Sequence, residues 1–233
     1  MATYSLSEID ALARKASRGA GYSWGIAEEV GKAVRWLSAY NLSGPEILAK
    51  HLELVADKQQ YFMPNLKESE SEEKIFENYK FKSDVSESNI SKNTELQLCS
   101  LYCGTLINDL GHHLKANQTL SFKNMMSPLL ALPSAARTAE AYDISVSFIS
   151  SDTIIICNPN GIEIKDTPHH FATFSIGNNS NVDCSRIQRD LNNTHFPSPQ
   201  GRAITEDTLE ILEKFAHKTY APATEESRLR GAG

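Results

Sequence analysis

The stretch "ISVSFISSDTIIICNPNG", residues 144–161, changes the period of the chain. Ile144, Val146 and Phe148 alternate with polar residues, the two-residue repeat of a strand with one buried face. Ile154 to Cys157 form a short apolar run. Asn158-Pro159-Asn160-Gly161 reads as a turn, and its Asn-Gly suits positive φ. Phe171 to Ile176 is a further strand candidate. Residues 117–180 therefore read as an antiparallel sheet portion, interrupted by a short helix near Ser134 to Ala141.

Outward from this stretch the period is helical. Ser5 and Glu8 have capping-box spacing, and Leu6, Ile9, Leu12, Ala13 and Ala16 recur at helical intervals. Gly19 and Gly21 end that helix. A second starts at Ser23, with Ala27, Val30, Val34 and Leu37 on one face. A third starts at Ser43, with Pro45 just inside and Glu46 completing another capping box. Residues 1–56 thus form a helical unit. A helix is expected from Leu96 to Leu114, and a last one from Thr205 to Lys218 with Leu209, Leu212, Phe215 and Ala216 inward, ahead of the tail that completes residues 205–233. Helices at both termini around a small central antiparallel sheet make a single α+β domain.

Composition narrows the function. The chain has 233 residues, 40% of them hydrophobic, enough for one sizeable core. Its net charge is -6 and its pI about 5.7, the wrong sign for a nucleic-acid partner. No apolar run approaches the ~20 residues of a membrane span. The opening MATYSLSEID has neither a basic nor an apolar leader region, so a cytoplasmic protein with reduced cysteines is expected. Residues 66–95 hold five lysines and eight acids, and read as a solvated, partly flexible excursion, with a short strand at Phe76 to Phe81. Replacement of residues 66–92 by a short Gly/Ser linker is expected to leave the fold intact.

Two segments draw attention for chemistry. Ser17-Arg18-Gly19-Ala20-Gly21 reads first as a helix C-cap, with arginine at the negative end of the dipole and glycine in the left-handed region. The next helix begins at Ser23, so its free N–H groups face the same glycine turn, where an anion would be held with the help of Arg18. The end of the chain, Ala223 to Gly233, repeats Arg-Gly-Ala-Gly. Thr224 is a good N-cap, and Glu225 and Glu226 suit a first helical turn. Five of nine arginines (Arg186, Arg189, Arg202, Arg228, Arg230) lie in the final 50 residues, and arginine suits bidentate capture of carboxylate or phosphate. Cys99 and Cys103 form one tight pair, whereas strong zinc signals use two, so buried thiols and no metal or other cofactor are expected. Phosphate-loop, nucleophile-elbow and zinc-protease motifs are absent from the sequence.

"SLSEIDALARKASRGAGYSWGIAEEVGKAVRWL" (5–37) and "FAHKTYAPATEESRLRGAG" (215–233) together resemble an uncharacterised bacterial family, the domain of unknown function DUF3726. The matching residues are Arg18, Gly19, Gly21, Trp24, Gly25, Glu28, Pro222, Thr224, Glu225, Ser227, Arg228, Gly231 and Gly233. The resemblance implies a chain that continues past this Gly-Ala-Gly, and it supplies positions rather than a reaction. The residues then suggest an enzyme or enzyme-like binder of a small anionic metabolite. Arg18, Arg228 and Arg230 would hold the anion beside Gly19, Gly21 and Trp24. Ser17 and Ser227 would donate hydrogen bonds, Thr224 would line the same binding site, and Glu28 or Glu225 would act as base if burial raised its pKa. The alternative is a non-catalytic accessory protein that docks on an acidic partner through its arginine-bearing C-terminal segment.

Overall fold

Ser5 caps the first helix as its spacing with Glu8 predicts. The Glu8 amide donates to Ser5 Oγ at 3.2 Å and the Ser5 amide donates to Glu8 Oε2 at 2.8 Å. The computed structural model describes residues 2–58, 62–67, 73–77, 97–150, 153–165, 180–188, 195–198 and 200–220. Within them α1 spans Leu6–Gly19, α2 Trp24–Ala39 and α3 Gly44–Val55. Ser23 caps α2, its Oγ accepting from the Ile26 amide at 3.4 Å. At α3 the expected capping box does not form. Ser43 makes no side-chain cap bond, and Glu46 instead meets Arg202 Nη2 at 3.2 Å. The charged fork of an arginine is a stronger partner for a carboxylate than a neutral backbone amide.

The connections are closed by left-handed residues. After α1 the Tyr22 amide donates to the Ser17 carbonyl at 3.2 Å and the Gly21 amide to the Arg18 carbonyl at 3.1 Å, the paired bonds of a Schellman motif. Gly21 has φ 106°, a region that a side chain rarely tolerates. Asn41, at φ 57°, does the same after α2, where the Leu42 amide reaches the Leu37 carbonyl at 2.8 Å.

The sheet is larger than expected and mixed rather than antiparallel. Its strands are β2 (Asn65–Lys67), β3 (Glu73–Glu77), β4 (Leu98–Cys99), β5 (Thr119–Met126), β6 (Ser145–Ser150), β7 (Thr153–Asn158), β8 (Gly161–Ile164) and β9 (Ser180–Ile187). Their order is β2-β3-β5-β9-β6-β7-β8, with β4 also on β5, and both β3 and β4 run parallel to β5. The acidic segment therefore supplies structure at its start: Phe76 of β3 is 3% exposed and stacks on Phe122 of β5 at 5.0 Å. Residues 78–96, and with them most of the strand expected at Phe76 to Phe81, lie outside the described residues, as do 166–179 with the candidate Phe171 to Ile176. β9 has no counterpart among the expectations. Only Val182 and Cys184 of its eight residues are buried, so its apolar signal is two residues long. The β7–β8 hairpin forms at the expected turn, with Asn158 opposite Gly161. Neither Asn160 nor Gly161 takes positive φ, however. The two turn residues are Pro159 and Asn160, and the proline ring holds φ negative, which rules out the mirror-image turn that Asn-Gly would favour.

The helix expected across 96–114 is divided. β4 takes its first residues, α4 spans Ser100–Asp109 and α5 spans Gly111–Lys115. A Cβ at Gly111 would stand 2.7 Å from Tyr142 Cε2 and 2.8 Å from Thr138 Cγ2, so the glycine lets α5 approach α6 (Leu132–Tyr142). α4 and α6 lie against the sheet and α2 packs on both. The last described helix, α7 (Glu206–His217), is capped by Thr205 and packs on α1 and α3. Beside it β1 (Ala2–Tyr4) pairs with β10 (Arg202–Ile204). One apolar cluster runs from Ile9 of α1 through Leu48, Ile107 and Phe148 to Phe215 of α7. Among the described residues no helix is long and apolar enough to cross a membrane.

Candidate functional site

The Arg18–Gly21 turn lies between the ends of three helices. A Cβ at Gly19 would fall 1.8 Å from the Phe215 carbonyl oxygen, so α1 and α7 touch backbone to backbone there. The Asp57 amide, just past α3, donates to the Ala20 carbonyl at 3.2 Å. Arg18 serves this corner: its Nη1 donates to the Tyr22 carbonyl at 2.7 Å and its guanidinium lies 5.2 Å from the ring centre of Trp24, which is 57% exposed. Ser17 is fully buried, and its Oγ has no partner among the described residues. Glu28 is exposed on α2, where water surrounds it, so the burial required of a carboxylate base is missing. Tyr220, the last described residue, approaches Lys15 of α1 at 5.5 Å. Thr224, Glu225, Ser227, Arg228 and Arg230 lie outside the described residues, so their half of the expected site is not on view.

Of the other arginines expected to cluster, two hold backbone instead. Arg186 Nη1 donates to the Lys115 carbonyl at 3.1 Å, and Arg202 donates to the Leu42 carbonyl as well as to Glu46. Behind the turn, Tyr22 is fully buried. Its hydroxyl stands 3.1 Å from Cys99 Sγ and 3.3 Å from His51 Nε2, with Sγ to Nε2 at 3.4 Å. Burial pushes the Tyr22 and Cys99 pKa values up and that of His51 down to about 4, so all three are neutral near pH 7. A buried thiol without a thiolate is a packing group, not a nucleophile. Cys103, Cys157 and Cys184 are likewise buried and unpaired.

Charge instead gathers in an open cleft of about 530 Å³ between α1, α2, α6 and the segment before β10. Its walls are Leu6, Asp10, Lys32, Arg35, Trp36, Ala39, Pro133, Arg137, Pro197 and Ser198. Lys32, Arg35, Trp36 and Ala39 share one face of α2, at helical spacing. Gly31 lets α1 close in: a Cβ there would meet Asp10 Oδ1 at 2.6 Å. The segment before β10 is fixed by the Ser198 amide, which donates to the Ala39 carbonyl at 2.7 Å. Glu29 binds Arg137 Nη1 and, at 2.7 Å, Lys32 Nζ. Burial works against the charge on Glu29, but the bonds from Lys32 and Arg137 outweigh it and hold its carboxyl below the ordinary value. Glu29 is thus an anchor for two cations and not a proton acceptor. Arg137 also donates from Nη2 to Ser134 Oγ at 3.4 Å. Arg35 makes no ion pair among the described residues.

None of the cleft's lining residues was among the expected site residues. The signal was present in α2, where the apolar stripe Ala27, Val30, Val34 and Leu37 marks the inward face. The opposite stripe of Lys32, Arg35 and Trp36 looks like an ordinary solvated face. Arg137, 101 or more residues away from each of them in sequence, helps turn it into a wall of a cleft.

Comparisons with known proteins add little chemistry. No curated protein matches the chain. Among solved structures, malate dehydrogenase from Entamoeba histolytica is similar at 10% identity and a TM-score of 0.42, over 91% of this chain and 61% of that one. The chain thus spans 61% of that protein's length, and the likeness is too slight to bear on fold or chemistry. A family model matches residues 4–93, which hold α1, α2 and α3, and it is described as a protein of unknown function, DUF3726. Over the segment that builds two walls of the cleft, the chain therefore resembles the domain-of-unknown-function family DUF3726.

Proposed function

We propose that the chain binds a small anionic metabolite in the cleft between α1, α2 and α6. The observation that carries this reading is the meeting of Lys32, Arg35 and Arg137 on its walls, in a chain of net charge -6. Two of these cations are oriented by Glu29, and Arg35 makes no ion pair among the described residues. Cationic groups held in place before binding lose less freedom when a carboxylate or phosphate arrives. The four unpaired cysteines suit a reducing compartment such as the cytoplasm.

The test is thermal protection by phosphate, sulfate or a dicarboxylate. A ligand that binds only the native state stabilises by RT ln(1 + [L]/Kd), about 1.4 kcal/mol at tenfold excess over Kd, or roughly 3–5 °C for a chain of this size. Sulfate and phosphate also stabilise proteins generally by exclusion from the surface, so the decisive quantity is the difference between parent and variant. Arg35→Ala is expected to lose the saturable part of the protection while the ligand-free Tm moves by less than about 2 °C, because Arg35 is exposed. Equal protection of parent and Arg35→Ala at every anion concentration would sink the proposal.

A further inference from the structure

The walls of the cleft are not uniform. Along α2 the lining passes from Lys32 and Arg35 to Trp36 and Ala39. Arg137 belongs to the first end, because it shares Glu29 with Lys32. Pro197 belongs to the second, because its neighbour Ser198 is bonded to the Ala39 carbonyl. The indole of Trp36 is held by its ring contact with Tyr40 at 4.3 Å. Pro133 and Leu6 add further apolar surface. A bare inorganic anion would use only the cationic end and leave the apolar end wet.

Resting on the proposed anion site, we infer that its ligand is an anionic head on a compact apolar body, such as an aryl or short acyl group. The head meets Arg35, Lys32 and Arg137, and the body lies against Trp36, Ala39 and Pro197. Both parts contribute to affinity, the first by charge-assisted bonds and the second by removal of apolar surface from water.

Calorimetric titration of the full chain with phenyl phosphate, inorganic phosphate and phenol separates the parts. Phenyl phosphate is expected to bind at least ~tenfold tighter than inorganic phosphate, the effect of burying part of one ring. The chain has two tryptophans, so Trp24→Phe leaves Trp36 as the sole indole, and its emission should change with phenyl phosphate. Trp36→Leu should bring phenyl phosphate close to the affinity of inorganic phosphate, and Arg35→Ala should weaken both. Phenyl phosphate no tighter than phosphate overturns the inference and leaves the anion site standing. Phenol as tight as phenyl phosphate overturns the anionic head. Absence of binding by either phosphate overturns both the site and the inference.

Discussion

His51 is fully buried in α3, and burial lowers its pKa to about 4 from 6.5. As pH falls below 6.5, the unfolded chain takes up a proton at this residue that the native state refuses. Stability is therefore lost between pH 6.5 and about 4 and levels off below, by roughly 3 kcal/mol from this group at most. The denaturant midpoint of His51→Gln should fall less steeply over that window than the parent's, whatever its absolute stability. Parallel curves would show that His51 does not titrate as its burial requires. Gly19 carries a second prediction. Its missing Cβ is the condition for contact between α1 and the Phe215 carbonyl, so Gly19→Ala should cost about 1–3 kcal/mol in urea unfolding. Gly25, with nothing within 4 Å of its missing Cβ, is the control. Gly25→Ala should be neutral or stabilising by up to ~1 kcal/mol, as alanine is the better helix former.

At the scale of elements, β3 decides the status of the acidic segment. A strand paired on both sides, with Phe76 stacked on Phe122, is part of the core and not a dispensable loop. Phe76→Ala should cost about 3–5 kcal/mol, the usual range for a buried phenylalanine. Leu66 of β2, 53% exposed, should change stability by less than ~0.5 kcal/mol when replaced by alanine. Replacement of residues 66–92 by a linker should therefore unfold the protein or destabilise it by at least as much as Phe76→Ala. A near-neutral result for either would return the segment to the solvent. The elements best announced by sequence are those with local signals. α1, α2 and α7 begin at Ser5, Ser23 and Thr205 because each has a cap side chain within reach of its own first turn. β3 and β9 were obscured because polar residues outnumber apolar ones in both, and because each pairs with β5 across 46 or more residues of sequence.

At the scale of the molecule, one apolar cluster joins the helical unit to the sheet. Unfolding followed by far-ultraviolet dichroism and by tryptophan emission should therefore coincide, although both tryptophans sit in α2. Separated transitions would divide the chain into a helical unit and a sheet that melt independently. By itself the sequence determined the mixed helix and strand content, the caps of α1, α2 and α7, the turn at Asn158 and the family resemblance over the first helices. These are properties of residues a few positions apart, and their physics is complete within one turn or one hairpin. Only the tertiary structure decided the strand order, the parallel pairing of β3 with β5, the burial of His51 beside Tyr22 and Cys99, and the cleft itself. Each of those joins residues tens of positions apart, and no local spacing records whether Arg137 faces Glu29 or water, because that depends on how α6 packs against α2.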